Sequence, residues 1–288
     1  MAQIYIAGIH TDAGKTHFSA AFCHAFAYDY FKLIQAGAQT DSSAVARFAK
    51  GVPVHKEGVS LRTPASPHIA KMIENRAYSG LEIALPNAKN LAIELAGGLY
   101  TPLDDRICMI DFMRKNPRAV VLVGRYYLGC INHILLSVNA MREAGLPILC
   151  IAMIKGLDGE SSDVFSLLQD SLDSSDSAGF VDSSDSLDSK DFAKSADSGD
   201  FLDSGRAPKN TLESTPKTTP NTPNTPNTPN TPNTPKYARQ TIAESIDAFL
   251  TSRHPHIPIV HLECFDETNF KEKSASLKQE MQAIMDNL

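Results

Sequence analysis

The chain has 288 residues, 42% of them apolar, and a formal net charge of −6. That is enough chain for one or two domains with a sizeable core, and the acidic balance excludes a general nucleic-acid binder, which carries a basic surface. No apolar run approaches the roughly 20 residues needed to cross a bilayer, and the first residues lack the order of a secretory signal. The five scattered cysteines (Cys23, Cys108, Cys130, Cys150 and Cys264) have neither metal-ligand spacing nor the look of a disulfide framework, so a reduced, cytoplasmic setting is expected.

The first element is QIYIAG, residues 3–8, a short apolar run read as a buried strand. It leads into GIHTDAGKT, residues 8–16, which resembles a phosphate-binding loop. Five residues separate Gly8 from Gly14, where the strict G-x-x-x-x-G-K-[ST] pattern has four. Residues 15–28 follow as an amphipathic helix, with Phe18, Ala21, Phe22 and Ala25 on one side. A loop between an apolar strand and a helix is what a phosphate cradle needs. Its backbone N–H groups and the positive end of the helix point at phosphate oxygens. Lys15 would reach the phosphates and Thr16 would offer a hydroxyl to Mg²⁺.

A second strand is expected near residues 31–34. Lys32 interrupts it, and by itself reads as an edge or snorkelling residue. Further strands are NLAIEL (90–95), AVVLVG (119–124), PILCIAMI (147–154) and IPIVHL (257–262), with a helix over residues 132–143. Alternating strands and helices predict an α/β fold: a mostly parallel sheet covered by helices on both faces, with ligands beyond the strands' carboxyl ends. Phosphoryl transfer also needs a metal-holding carboxylate. Asp41, after the second strand, and Glu94, near the end of an apolar strand, are the candidates, and each reads equally well as a plain surface acid. Gly97 and Gly98 allow close approach of backbone to a ligand, or form a simple turn. Asn132 is placed to cap its helix, which would leave the N–H groups of Cys130, Ile131 and Asn132 facing an anion.

Residues 158–236 differ from everything around them. An imperfect Asp-Ser repeat runs to Gly205, and Pro-Asn-Thr then recurs five times from Pro220. Proline every third residue blocks helix and central strand, so this segment is expected to be a disordered insertion. Residues 1–157 and 237–288 would then form one P-loop α/β domain.

GIHTDAGKT, TPASPHIA, ELAGGLYTPL and LGCINHILLS, in this order, resemble the dethiobiotin synthetases. The typical loop of that family, G-T-D-T-x-x-G-K-T, carries the same additional residue. The resemblance covers most of residues 1–154. It implies a homodimeric P-loop enzyme that uses ATP, with Mg²⁺, to close the ureido ring of dethiobiotin from 7,8-diaminononanoate and CO₂. It further implies that Lys15 and Lys32 are catalytic, and that Thr11, Asp12, Ala13, Gly14, Lys15, Thr16 and His17 surround the nucleotide. By the same resemblance Thr16, Asp41 and Glu94 bind the metal, and Ala36, Gly97 and Gly98 meet the substrate. The amides of Cys130, Ile131 and Asn132 would hold the substrate's carboxylate from the neighbouring subunit. His10 stands where the family has an acid, Leu33 where it usually has Pro, Ala36 for Ser and Leu95 for Gly. Met153, Ile154 and Lys155 occupy the place of a base-reading Asn, so adenine is implied by the family alone. His10 is expected to titrate near neutral pH. A second reading, a switch ATPase of the partitioning type, would draw on residues 271–288 as an amphipathic docking element.

Overall fold

A computed structural model of the protein describes residues 2–156 and 239–288. The insertion expected at residues 158–236 lies outside the described residues. Eight strands are described: β1 (Gln3–Gly8), β2 (Asp29–Lys32), β3 (Ile34–Ala36), β4 (Val59–Leu61), β5 (Leu91–Glu94), β6 (Ala119–Arg125), β7 (Ile148–Lys155) and β8 (Ile259–Glu263). The helices are α1 (Lys15–Phe26), α2 (Asp41–Phe48), α3 (Pro67–Ile73), α4 (Met109–Lys115), α5 (Cys130–Glu143), α6 (Arg239–Arg253) and α7 (Phe270–Met285).

Six strands form one sheet in the order β2-β5-β1-β6-β7-β8, with parallel pairing at every junction. The predicted mostly parallel α/β architecture is present. The chain moves outward from β1 to β2, returns to β5, and then crosses to β6 on the other side of β1. The carboxyl end of β1 therefore lies at the switch point where ligands of such sheets bind.

The strands alternate with period two, which divides the core in two. Tyr5, Phe31, Leu91, Ile93, Val120, Leu122, Ile151 and Met153 face one side, where Met109 and Phe112 of α4, Ile134, Val138 and Met141 of α5, and Leu250 of α6 cover them. Ile4, Ile6, Tyr30, Ala92, Val121, Val123, Ala152 and Ile154 face the other, beneath Phe18 and Phe22 of α1, Val45 of α2, and Leu277 and Met281 of α7. The C-terminal helix thus spends its apolar stripe on α1 and the sheet, which leaves no free amphipathic face of the kind the switch-ATPase reading draws on.

Two boundaries differ from the sequence reading. The expected second strand is two strands. β2 pairs with β5, whereas β3 turns away after Leu33 to pair with β4 in a separate two-stranded sheet, with register Ile34↔Val59. The helix expected from residue 132 begins at Cys130, capped by Gly129 with φ 100. Gly129 supplies a left-handed conformation that a side chain disfavours. Asn132 lies within the first turn and is not the cap.

Candidate active site

The loop after β1 closes through two left-handed residues, Asp12 (φ 62) and Gly14 (φ 92), the latter at the N-cap of α1. The first helical bond of α1 runs from the Phe18 N–H to the Gly14 carbonyl at 2.9 Å. The amides of Lys15, Thr16 and His17 thus lie in the turn that has no helical partners, the feature that makes a helix N-terminus an anion site. Gly8 is required by close approach: a Cβ there would stand 2.8 Å from Lys15 Nζ and 2.9 Å from the His10 carbonyl oxygen. Lys15 is buried and donates from Nζ to that carbonyl at 3.0 Å. Burial, reinforced by the nearby Lys32 ammonium, pushes its pKa down to about 8 against the pull of Glu94, Asp41 and Asp12.

Beside this loop lies a fully buried carboxylate. Glu94, last residue of β5, is 0% exposed. In register it faces Ile6 of β1 on one side and Lys32 of β2 on the other. Lys32 is 3% exposed; its Nζ stands 2.8 Å from Glu94 Oε1, 2.5 Å from Asp41 Oδ2 and 3.2 Å from the Leu95 carbonyl oxygen. The edge or snorkelling reading of Lys32 is therefore wrong for a physical reason. β2 is at the sheet edge, but position 32 points beneath α1 and α2, where two carboxylates compensate the charge. Burial by itself would lower the Lys32 pKa, yet Glu94 and Asp41 outweigh it and hold the ammonium above its usual range. Asp41 is the mirror case: burial opposes ionisation, while Lys32, the Thr16 hydroxyl and Lys15 bring its pKa below the usual carboxylate value. Thr40 caps α2 by accepting from the Ser43 N–H at 3.2 Å, which fixes Asp41 in the first turn, where a helix favours negative charge.

Thr16 donates from Oγ1 to Glu94 Oε1 at 2.9 Å. Thr16, Asp41 and Glu94 thus converge. They supply only oxygen, the donor type Mg²⁺ takes alongside water and phosphate. Among the described residues there is no cluster of three or more His, Cys, Asp or Glu that could hold a metal. Two carboxylates and one hydroxyl are a donor set that a partly hydrated Mg²⁺ would accept.

An open cleft of about 1180 Å³ runs from the loop across the strand ends. His10, Thr11, Asp12, Gly14, Lys15, Thr16 and His17 line it, with Lys32, Ala36, Asp41, Glu94, Gly97 and Gly98. Ala13 differs from its neighbours and is buried in the core. Gly97 has φ 61, and a Cβ there would meet Thr101 Oγ1 at 2.2 Å, so the glycine pair holds a conformation and an approach that other residues would spoil. Cys130, Ile131 and Asn132 are not among the cleft's lining residues. The Cys130 amide donates to the Tyr127 carbonyl at 3.0 Å, which removes one of the three expected anion donors. Met153 and Ile154 are core residues of β7.

Sequence reasoning missed several lining residues: Gln35, residues 64–67, Arg125, His133 and Ser137. Only TPASPHIA and LGCINHILLS, which contains His133 and Ser137, carried any signal, as part of the resemblance. His10 also behaves differently from the expectation. Burial, with Arg125, Lys15 and His133 nearby, lowers its pKa against the opposing Thr11 carbonyl, so it titrates on the acid side of an ordinary histidine.

A glycine-bounded loop with its lysine, at the switch point of a parallel sheet and beside an acid–lysine–hydroxyl cluster, defines a P-loop nucleotide-binding domain. The AAA domain family model matches residues 2–173. An ATP-dependent dethiobiotin synthetase of Campylobacter jejuni is 55% identical over 152 residues, which is 53% of this chain and 76% of that protein. Proteins of the same name from Lawsonia intracellularis (38% identical; 51% of this chain, 73% of the relative) and Brucella ovis (39%; 53% and 74%) are also similar. This chain belongs to the dethiobiotin synthetases.

Proposed function

We propose that the protein is an ATP-dependent dethiobiotin synthetase, a cyclo-ligase of biotin biosynthesis that closes the ureido ring from 7,8-diaminononanoate and CO₂. The observation that carries this reading is the convergence of Lys15, Thr16, Lys32, Asp41 and Glu94 on one cleft at the carboxyl end of β1. One amine of the substrate takes up CO₂ as a carbamate. A carbamate oxygen attacks the γ-phosphorus of ATP, releasing ADP and forming a carbamic–phosphoric anhydride. The second amine attacks the carbonyl carbon, closes the ring and expels phosphate. The chemistry is carried by the reactants, so the protein contributes positioning and charge neutralisation.

Lys15 stabilises phosphate charge from a buried position at the start of α1. Lys32, held by Asp41 and Glu94, places a second positive charge where carbamate and phosphate charge meet. Thr16, Asp41 and Glu94 would hold Mg²⁺, which neutralises phosphate oxygens when bound. Residues 11–17 enclose the nucleotide, and Ala36, Gly97 and Gly98 border the diamine.

The dimer reading draws support from the cleft rim. Tyr100, Leu128 and Leu136 are large apolar residues left exposed, and Tyr100 and Leu136 line the cleft mouth. A second copy would cover them and bring its Ile131 and Asn132 amides to the substrate carboxylate. Five free cysteines agree with a reduced cytoplasm, and no described helix is long and apolar enough to cross a membrane. Purified protein given Mg²⁺, ATP, bicarbonate and 7,8-diaminononanoate should release phosphate only when the diamine is present. Diamine-independent release, or none, would refute the function. Sedimentation should give twice the chain mass; a monomer with full activity would refute the shared site.

A further inference from the structure

Glu94 accepts four hydrogen bonds, and they divide cleanly between its two oxygens. Oε1 takes Thr16 Oγ1 at 2.9 Å and Lys32 Nζ at 2.8 Å, both groups of the site described above. Oε2 takes Ser19 Oγ at 2.6 Å and Tyr30 OH at 3.1 Å. Ser19 and Tyr30 do not line the cleft, and both are wholly buried. Their placement follows from local geometry. Ser19 lies three residues after Thr16 on α1, so the two hydroxyls share one helix face and each meets a different oxygen. Tyr30 lies two residues before Lys32 on β2, so both side chains leave the strand on the same side. The carboxylate is thus held between one helix face and one strand face.

A buried carboxylate needs its lone pairs satisfied. Apolar packing alone would never select a serine hydroxyl and a tyrosine phenol at these positions, in a region otherwise built from Phe18, Phe22 and Ile4. Both donors are neutral, so they fix the group without cancelling its charge.

We infer that Ser19 and Tyr30 are positioning residues that anchor Glu94 through Oε2 and so leave Oε1 as its working oxygen toward Thr16, Lys32 and a divalent cation. A cation that displaces Lys32 or Thr16 from Oε1 meets a carboxylate whose other oxygen stays fixed. Without the anchor the group rotates about its terminal torsion, and the cation must order it on binding. Groups that orient metal ligands in this way typically alter metal affinity by 10–100-fold.

This inference rests on the reading of Glu94 as a metal-holding carboxylate, and the experiment separates the two. Binding of a fluorescent ATP analogue to the full-length protein is titrated with Mg²⁺ for wild type, Tyr30→Phe, Ser19→Ala, the double variant and Glu94→Gln, with melting temperature recorded for each. The Mg²⁺ midpoint should rise in both single variants and by about tenfold or more in the double variant, while Mg²⁺-independent analogue binding stays unchanged. A purely structural role lowers the melting temperature and leaves the midpoint in place; that result, with the midpoint still shifted in Glu94→Gln, overturns the anchor alone. A midpoint unmoved in Glu94→Gln overturns the metal reading and the anchor with it.

Discussion

Lys32 and Glu94 face each other in register on adjacent strands, and their charged ends meet at 2.8 Å inside the sheet's helix-covered side. A buried pair of this kind stabilises little relative to an apolar pair, but breaking it strands a charge.

Lys32→Met should therefore lower stability by about 3–5 kcal/mol in denaturant unfolding and abolish turnover. Adding Glu94→Gln should restore most of the stability and none of the activity. Equal stability of the single and double variants would show that the charges are not coupled.

Gly8→Ala should weaken nucleotide binding by about tenfold or more, equivalent to 1.4 kcal/mol, because the added methyl meets Lys15 Nζ at 2.8 Å and Cδ at 2.9 Å. Lys15→Ala should abolish turnover outright. Calorimetric titration with ATP checks the first and phosphate release the second.

His254 is buried with neither ring nitrogen hydrogen-bonded. Burial, with Arg142 and Arg253, lowers its pKa. The folded value lies below the unfolded value of about 6.5, so the unfolded chain binds the extra proton first and stability falls as pH drops below about 6.5. His254→Leu should flatten that part of the profile and leave stability at pH 8 equal or higher. An unchanged acid slope would show that other groups dominate it.

Tyr126 OH donates to Asp247 at 2.9 Å, and His261 Nε2 bonds the same carboxylate at 2.9 Å, so Asp247 ties α6 to the end of β6 and to β8. Asp247→Ala should cost about 1–3 kcal/mol and raise hydrogen exchange in α6 before the other helices. Uniform exchange would argue against a local tie.

The described residues by themselves form the six-stranded sheet and line the cleft. Replacing that segment with a flexible linker should keep the circular dichroism spectrum and diamine-dependent phosphate release. Loss of either would assign the segment a part in the domain.

The sequence by itself determined the strand–loop–helix of GIHTDAGKT, because strand, glycines and lysine are adjacent in the chain and the geometry is local. It also determined the parallel α/β class, through apolar runs such as AVVLVG alternating with amphipathic segments. Apart from the resemblance, Lys32, Asp41 and Glu94 were legible only as unusual residues, each open to a bland reading. Their meeting required strand order: β2, β5 and β1 are neighbours in space although residues 6, 32 and 94 are far apart in sequence. The split of the second strand at Leu33, and the start of α5 at Cys130 behind its Gly129 cap, were decided by pairing and backbone conformation that apolar patterning does not encode. The cleft wall from Gln35 and Arg125 carried no local signal at all. Hydrophobic periodicity reports which side of an element is buried, whereas only the packed sheet decides which buried charges share a dry space and must compensate one another.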